Sequence, residues 1–340
     1  FYKAVQLYND ENYQQAIRYF DKSINVTGNN KLLYESYYWK AEAYYNLGMF
    51  HESLLSYQRL NKNTELYLQS LYAQGYCYLK TKDFNNSIKK FKSAIKHTTD
   101  KKILHDSYVR VGDNYFLLMN YTLSTQFYTK AVDSGGFQAD YAAYKKSTAY
   151  VLLGDYNNAI KSFTSLIDTF SDSNYLDDAI FDLGNVYILA KNFNFAIEAF
   201  LKVIEKFPTS LFYAKSHLKI GLVYYMQEKD DEAISTFKKV LNQFPNSNVS
   251  QEALSIIKNI YNELGQANKF LELITDVNHD YRKSELDSST YYSAELQYMK
   301  TDYTNAINAL QSYLSYYPKG LFYLEANYFL SKSYESKGKA

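Results

Sequence analysis

Three prolines, one cysteine and no apolar stretch of membrane-spanning length mark this 340-residue chain by what it lacks. The lone cysteine, Cys77, excludes an intrachain disulfide framework and a multi-thiolate metal site. No run approaches the about 18 apolar residues that cross a bilayer as a helix, so direct membrane insertion is not expected. Charge of one sign is also missing: 37 Lys and Arg stand against 36 Asp and Glu. Nucleic-acid affinity grows with the number of phosphates neutralised, so this balance gives no case for a nucleic-acid partner, nor for a polybasic membrane anchor. There is no initiating Met; the chain begins at Phe1 and reads as a fragment or processed product of a larger protein.

Residues arranged for chemistry are equally scarce. His51, His97, His105, His217 and His279 are scattered, without His-x-x-x-His or Cys-x-x-Cys pairing, and read as surface or joint histidines. Gly135-Gly136 lacks the preceding strand and following Lys-Ser/Thr of a phosphate loop. The acids Asp168, Asp172, Asp177 and Asp178 lack the order of a calcium loop and read as solvated helix ends. The expectation is a chain without catalytic residues, metal or cofactor.

What is abundant is tyrosine, 39 residues, beside much Asn, Lys and Ile, a bias that an AT-rich genome explains in part. What is ordered is a repeat. The segment DEAISTFKKVLNQFPNS, 231–247, echoes NFAIEAFLKVIEKFPTS, 194–210. The small-apolar-x-x-aromatic seed recurs from Ala16, Ser53, Ser87, Ser124, Ala159, Ala196, Ala233, Phe270 and Ala306, at spacings of 37, 34, 37, 35, 37, 37, 37 and 36. A near-constant period over a whole chain denotes a stack of like units and not one globular core. Upstream of each seed lies a second stretch with apolar residues at i, i+3, i+4 and i+7, so each repeat is two helices, A and B.

With the seed numbered position 20, punctuation falls into register. Pro208, Pro245 and Pro318 all occupy position 32, where helix B must stop. Gly75, Gly112, Gly184 and Gly221 occupy position 8, where A and B cross closely; Gly48, Gly154, Gly265 and Gly338 occupy position 15, the end of helix A. The additional residues of the 37-residue period fall at FPTSLFYA, FPNSNVSQ and YPKGLFYL, where a longer or earlier-starting helix A is expected. Lys258 and Phe270 at positions 8 and 20 imply looser A/B packing in the eighth repeat.

The pattern Leu183-Gly184-x-x-Tyr187, Ala196-x-x-x-Phe200, Pro208, repeated at Ile220-Gly221-x-x-Tyr224, Ala233-x-x-x-Phe237, Pro245, resembles the tetratricopeptide repeat. The resemblance covers essentially the whole chain. It implies an all-α, right-handed α-solenoid of about nine antiparallel helix pairs plus one extra C-terminal helix. The expected repeats run 1–30, 34–64, 68–99, 105–136, 140–173, 176–210, 213–247, 250–280 and 287–319, followed by an unpaired helix A at 321–338. Both ends are expected to cut through repeats of a larger protein. The usual Trp at position 4 is missing; Trp39 falls at position 6.

The resemblance also implies that positions 5 and 12 of helix A face a concave groove. Position 5 is aromatic in seven of ten repeats, giving a candidate partner-binding ladder of Tyr38, Tyr72, Tyr144, Phe181, Tyr291 and Tyr328, joined at position 12 by Tyr45, Phe116, Tyr225 and Tyr298. The competing reading of the same rings is packing between repeats. Family members clamp a terminal carboxylate with Lys at position 5 and Asn at position 9, but position 5 never holds Lys here; Glu35, Glu42, Asp106 and Asp113 occupy positions 2 and 9, which favours a neutral or basic partner segment. The expected function is a non-enzymatic scaffold that binds a protein or peptide in this groove. The alternative is a regulatory or substrate-docking region of an enzyme whose catalytic domain lies outside the sequence. The Phe-Pro-x-Ser joints are similar to those of bacterial cell-envelope members, the outer-membrane assembly lipoproteins of the BamD type and the periplasmic cell-division coordinators, which favours a periplasmic or envelope setting.

Overall fold

The computed structural model describes residues 1–62, 64–276 and 283–339. His279 and the end of the eighth repeat, to residue 280, lie outside them. Among the described residues the chain forms nineteen α-helices and no strand, in two compact units, Phe1–Ala190 and Lys191–Ala340. In the first unit the A helices are α1 (Tyr2–Asn9), α3 (Asn30–Asn46), α5 (Glu65–Lys80), α7 (Lys101–Leu117), α9 (Ala139–Leu152) and α11 (Leu176–Leu189). Its B helices are α2 (Tyr13–Val26), α4 (Phe50–Tyr57), α6 (Phe84–His97), α8 (Tyr121–Ser134) and α10 (Tyr156–Thr169). The second unit opens with α12 (Phe193–Lys206), then alternates α13 (Tyr213–Met226), α14 (Asp230–Gln243), α15 (Asn248–Glu263), α16 (Ala267–Asp276), α17 (Lys283–Met299), α18 (Tyr303–Tyr316) and α19 (Tyr323–Lys339). No helix among the described residues is long and apolar enough to cross a membrane.

The turn between A and B is built the same way each time. Position 15 takes a left-handed backbone: Gly48, Gly154 and Gly265 do so, and so do Glu11, Lys82, Met119, Lys191, Glu228 and Thr301. Gly338 instead lies inside α19, so its expected role as a cap does not hold. The amide of position 16 then bonds back to position 11, as Met49 does to Tyr44 and Asp83 to Tyr78, both at 2.9 Å, which satisfies carbonyls the helix end leaves open. Position 16 starts helix B: the side chains of Asn12, Asp83, Asn120, Asp155 and Asp302 each accept from the amide three residues on.

Packing within a pair centres on positions 8, 20 and 24. The ring at 24 lies on the backbone at 8: Phe91 over Gly75, Tyr128 over Gly112, Phe237 over Gly221. Where position 20 is Ser, its hydroxyl donates to the position-8 carbonyl, Ser53 to Ala41 at 2.8 Å, Ser87 to Gly75 at 2.9 Å and Ser124 to Gly112 at 3.0 Å. A Cβ on Gly221 would stand 2.5 Å from the Phe237 ring, which is wholly buried. Gly221→Ala is therefore expected to destabilise the second unit by about 1–2 kcal/mol, because overpacking strain exceeds the roughly 1 kcal/mol that Ala gains as a helix former. Urea unfolding checks this; a stabilised variant would show that the ring is free to give way.

The additional residues at two of the long joints do not lengthen helix A. Phe207–Phe212 makes two successive turns, with the Ser210 amide bonded to the Phe207 carbonyl at 3.0 Å and that of Tyr213 to Ser210 at 3.1 Å, and α13 starts only at Tyr213. Gly320 and Tyr323 repeat the arrangement before α19. Only at FPNSNVSQ does the helix start early, at Asn248, where the Ser247 hydroxyl caps it. The eighth repeat still buries Ile257, Phe270 and Ile274 in the second unit's core, although α16 has only 10 residues.

Candidate functional site

In the first unit the A helices stand side by side, α3 beside α5 and α5 beside α7, closer than their B partners. The A row is thus the inner face, and its side chains at positions 2, 5, 6, 9 and 12 decide what that face presents.

Three of the expected rings share one cleft. Tyr38, Tyr45 and Tyr72 line an open cavity of about 500 Å³ with Glu42 and Tyr76. The rings are held from behind: Tyr57 meets Tyr38 edge-on at 5.8 Å, and Phe91 supports both Tyr72 and Tyr76, at 5.8 and 5.2 Å. Glu42 accepts hydrogen bonds from the hydroxyls of Tyr57 and Tyr38. Burial raises its pKa, and those two phenols only partly offset the rise.

One repeat on, the inner face is a closed network. Asp106 accepts from Tyr72 at 2.8 Å and Tyr76 at 2.5 Å. Asp113 accepts from Tyr128 at 2.7 Å and Tyr141 at 3.0 Å. Arg110 joins the two acids, 3.0 Å from Asp106 and 2.8 Å from Asp113, and also donates to Tyr76 and Gln138. Burial opposes the Arg110 charge, yet Tyr76, Asp106 and Asp113 outweigh it and raise the guanidinium pKa. Further along, Tyr144 stacks on Tyr175 at 5.5 Å and donates to Asp182 at 2.8 Å.

The remaining expected site residues are spread over other surroundings. Phe116 lies under the Lys145 ammonium, 4.0 Å from the ring centre. Phe181 and Tyr291, 6% and 2% exposed, are enclosed and leave no face for a partner; Tyr291 is stacked on Phe322 at 4.5 Å. Tyr225 is half-buried with its hydroxyl near Glu263, at 3.2 Å. Tyr298 packs on Phe329 at 5.0 Å, while Tyr328 is 58% exposed. The rings therefore do not form an unbroken ladder; they gather into one cleft and several packed pairs. Glu35 and Glu42 also part: Glu42 lines the cleft, Glu35 pairs loosely with Lys31 at 4.0 Å.

Sequence reasoning missed the phenols of helix B, Tyr57 and Tyr128, which reach through the pair to hold Glu42 and Asp113. The signal was there: where position 24 is one of these tyrosines, position 9 is an acid, and where it is Phe20, Phe91, Phe163, Phe200 or Phe237, position 9 is Val5, Tyr76, Thr148, Asn185 or Leu222. Cys77 is fully buried beside Ser53, its thiol pKa pushed up to about 11 chiefly by burial, as befits a packing residue. His105 is a buried joint residue whose Nδ1 lies 3.0 Å from the Ser134 hydroxyl. Among the described residues no three His, Cys, Asp or Glu side chains are grouped to hold a metal ion.

Comparison with known proteins agrees with this architecture. The tetratricopeptide repeat family matches residues 35–63, 141–173, 178–210, 215–247 and 289–320. No curated protein matches the sequence. Among solved structures, the C-terminal part of a TPR repeat-containing protein from Cytophaga hutchinsonii aligns over 74% of this chain and 98% of its own, at 17% identity and TM-score 0.58. The apo form of RapI aligns over 99% and 96%, at 13% identity and TM-score 0.51. A tetratricopeptide repeat protein from Parabacteroides merdae aligns over 78% and 98%, at 16% identity and TM-score 0.48. The five matched segments begin at position 2 or 3 of the internal frame and fall on its helix pairs; over these segments the chain carries tetratricopeptide repeats.

Proposed function

We propose that the chain is a non-enzymatic scaffold that holds an extended, neutral or basic segment of a partner protein against the inner face of its first unit. Tetratricopeptide repeats generally serve protein–protein contacts. The observation that carries the reading is the cleft of Tyr38, Tyr45 and Tyr72, where rings anchored from behind leave one side open to solvent. A covered Tyr buries about 150–250 Å², so three or four supply much of a standard partner face of roughly 800 Å². The inner-face acids Glu42, Asp106, Asp113 and Asp182 outnumber Arg110 and Lys145, which supports a basic segment over an acidic tail. The repeat frame, which continues through residues 1–340, supports reading the chain as one array, and the Phe-Pro-x-Ser joints support an envelope-assembly setting.

Selection from a random peptide library tests this. Wild-type protein is expected to enrich a set of peptides that bind Tyr45→Ala and Tyr72→Ala about tenfold more weakly, a typical cost for an interface ring. Far-ultraviolet circular dichroism confirms that the variants stay folded. Equal binding by the folded variants, or no enrichment at all, would sink the proposal.

A further inference from the structure

Position 6 of helix A has a recurrent task in the first unit: in four repeats it reaches back to a ring of the preceding A helix. Trp39 does so onto Tyr8, with ring centres 5.2 Å apart. Arg110 does so onto Tyr76, at 5.8 Å, and Lys145 onto Phe116, at 4.0 Å. Asp182 does so by accepting from Tyr144 at 2.8 Å. Phe329 repeats the contact in the second unit, 5.0 Å from Tyr298. In the third repeat position 6 is Ala73, which carries only a methyl group, and the Tyr45–Glu42 cleft stands open at that place.

The closest internal counterpart shows what belongs there. In the fourth and fifth repeats, position 12 is Phe116, position 9 is Asp113, and Lys145 lies over the ring; burial lowers the Lys145 pKa, and the Asp113 charge partly offsets this. In the second and third repeats, position 12 is Tyr45 and position 9 is Glu42, but the cation is missing. Among the described residues no basic side chain pairs with Glu42; phenols alone hold it. A carboxylate faced by several aromatic rings, in a cavity of about 500 Å³, suits an organic cation by charge, by ring quadrupole and by size.

We propose that the Ala73 cleft is a cation-binding pocket that takes an ammonium or guanidinium group of the bound segment over the Tyr45 ring and against Glu42, in the place that Lys145 fills internally two repeats along. The pocket rests on the groove reading above and adds to it the class of side chain that the groove selects. Ala73 sets the specificity by leaving the space vacant, and Glu42 sets the sign of charge.

The test uses the full chain with tyrosines isotopically labelled for NMR, titrated at fixed ionic strength with N-acetyl-arginine amide, N-acetyl-lysine amide and tetramethylammonium chloride. Saturable shifts are expected at Tyr45 and Tyr72 in the wild type, with affinity at least tenfold lower in Glu42→Gln. In Ala73→Lys they should vanish, because the new ammonium occupies the pocket as Lys145 does over Phe116. Tyr45→Leu, which keeps an apolar surface but no tyrosine ring, should weaken binding as read at Tyr72. Unchanged affinity in both Glu42→Gln and Ala73→Lys overturns the proposal, provided circular dichroism shows folded protein. Library-selected peptides distinguish the source of the cation. If they lose at least tenfold in Ala73→Lys, a peptide side chain fills the pocket. If they ignore Ala73→Lys while tetramethylammonium still binds the wild type, the assignment to a partner segment is overturned in favour of a free cation. Selected peptides with no cation binding overturn the pocket and leave the groove reading intact; cation binding with no selected peptides does the reverse.

Discussion

Raising the pH past about 10 is expected to unfold this protein cooperatively, with helix loss and tyrosinate absorbance rising together. Tyr57 and Tyr128 are wholly enclosed, and burial first, then Glu42 or Asp113 beside them, pushes their pKa far above the ordinary value. Tyr38, Tyr72, Tyr141 and Tyr144 are raised for the same order of causes, except that Tyr76 contributes more than Asp106 at Tyr72. Tyr76 is pushed up to about 12. An unfolded chain titrates its tyrosines near about 10. Folded pKa values above unfolded ones mean stability that is fully present below about pH 10 and is lost as pH rises beyond it. Each phenol held neutral costs about 1.4 kcal/mol per pH unit, so Tyr57 and Tyr128 together remove about 4 kcal/mol by about pH 11.5, a large part of a typical domain's stability. The more exposed phenols add less, because solvent screens them. Tyr57→Phe and Tyr128→Phe should each move the midpoint to higher pH. Gradual appearance of tyrosinate from about pH 10 with the helical signal intact would contradict the prediction. On the acid side Glu42 and Asp182, also raised by burial, have the same sign: they cost stability while ionised, and the folded state gains as pH falls through their range.

Arg110→Met should destabilise the first unit by about 3 kcal/mol. The side chain is only 19% exposed and connects α5, α7 and the α8–α9 joint through Tyr76, Asp106, Asp113 and Gln138. Its removal leaves two half-buried carboxylates facing each other with phenols as their remaining donors. A solvent-exposed pair would cost at most about 1 kcal/mol, so the measured loss discriminates between the two descriptions. Pairing Arg110→Met with Asp106→Asn should recover more than about 1 kcal/mol, since the neutral amide no longer needs the cation. A loss below about 1 kcal/mol in urea unfolding, or strictly additive effects, would show that the network is an ornament of the surface.

Much of the architecture could be read without coordinates because repeats state their own punctuation. Proline at position 32, glycine at position 8 and a small residue at 20 each answer a local demand, and local demands are written in single residues. The position-15 turn was legible only in part. Glycine advertises a left-handed backbone, but Lys82, Met119 and Thr301 adopt it under the control of the Schellman bonds and the Asp or Asn that follows. The long joints misled because an inserted residue is equally compatible with helix and turn; Ser210 and Gly320 settle it through hydrogen bonds that no periodicity reveals.

The candidate site divides the same way. The sequence determined that the chain is a stack of A/B helix pairs, that its A helices carry tyrosines at recurrent positions, that Glu35, Glu42, Asp106 and Asp113 stand at positions 2 and 9, and that no lysine stands at position 5. The tertiary structure decided which of those rings stay open. Tyr291 and Phe181 are closed off and Phe116 is covered by Lys145, while Tyr38, Tyr45 and Tyr72 share a cleft. At Phe116 the reason is the side chain the next repeat sends back from position 6, and at Tyr291 it is the joint residue Phe322; the position-6 contacts join residues about 29 to 38 apart, and their outcome turns on length and charge together. Alanine at one such position is unremarkable in a sequence; between Tyr45 and Tyr72 it is the difference between a packed core and a pocket.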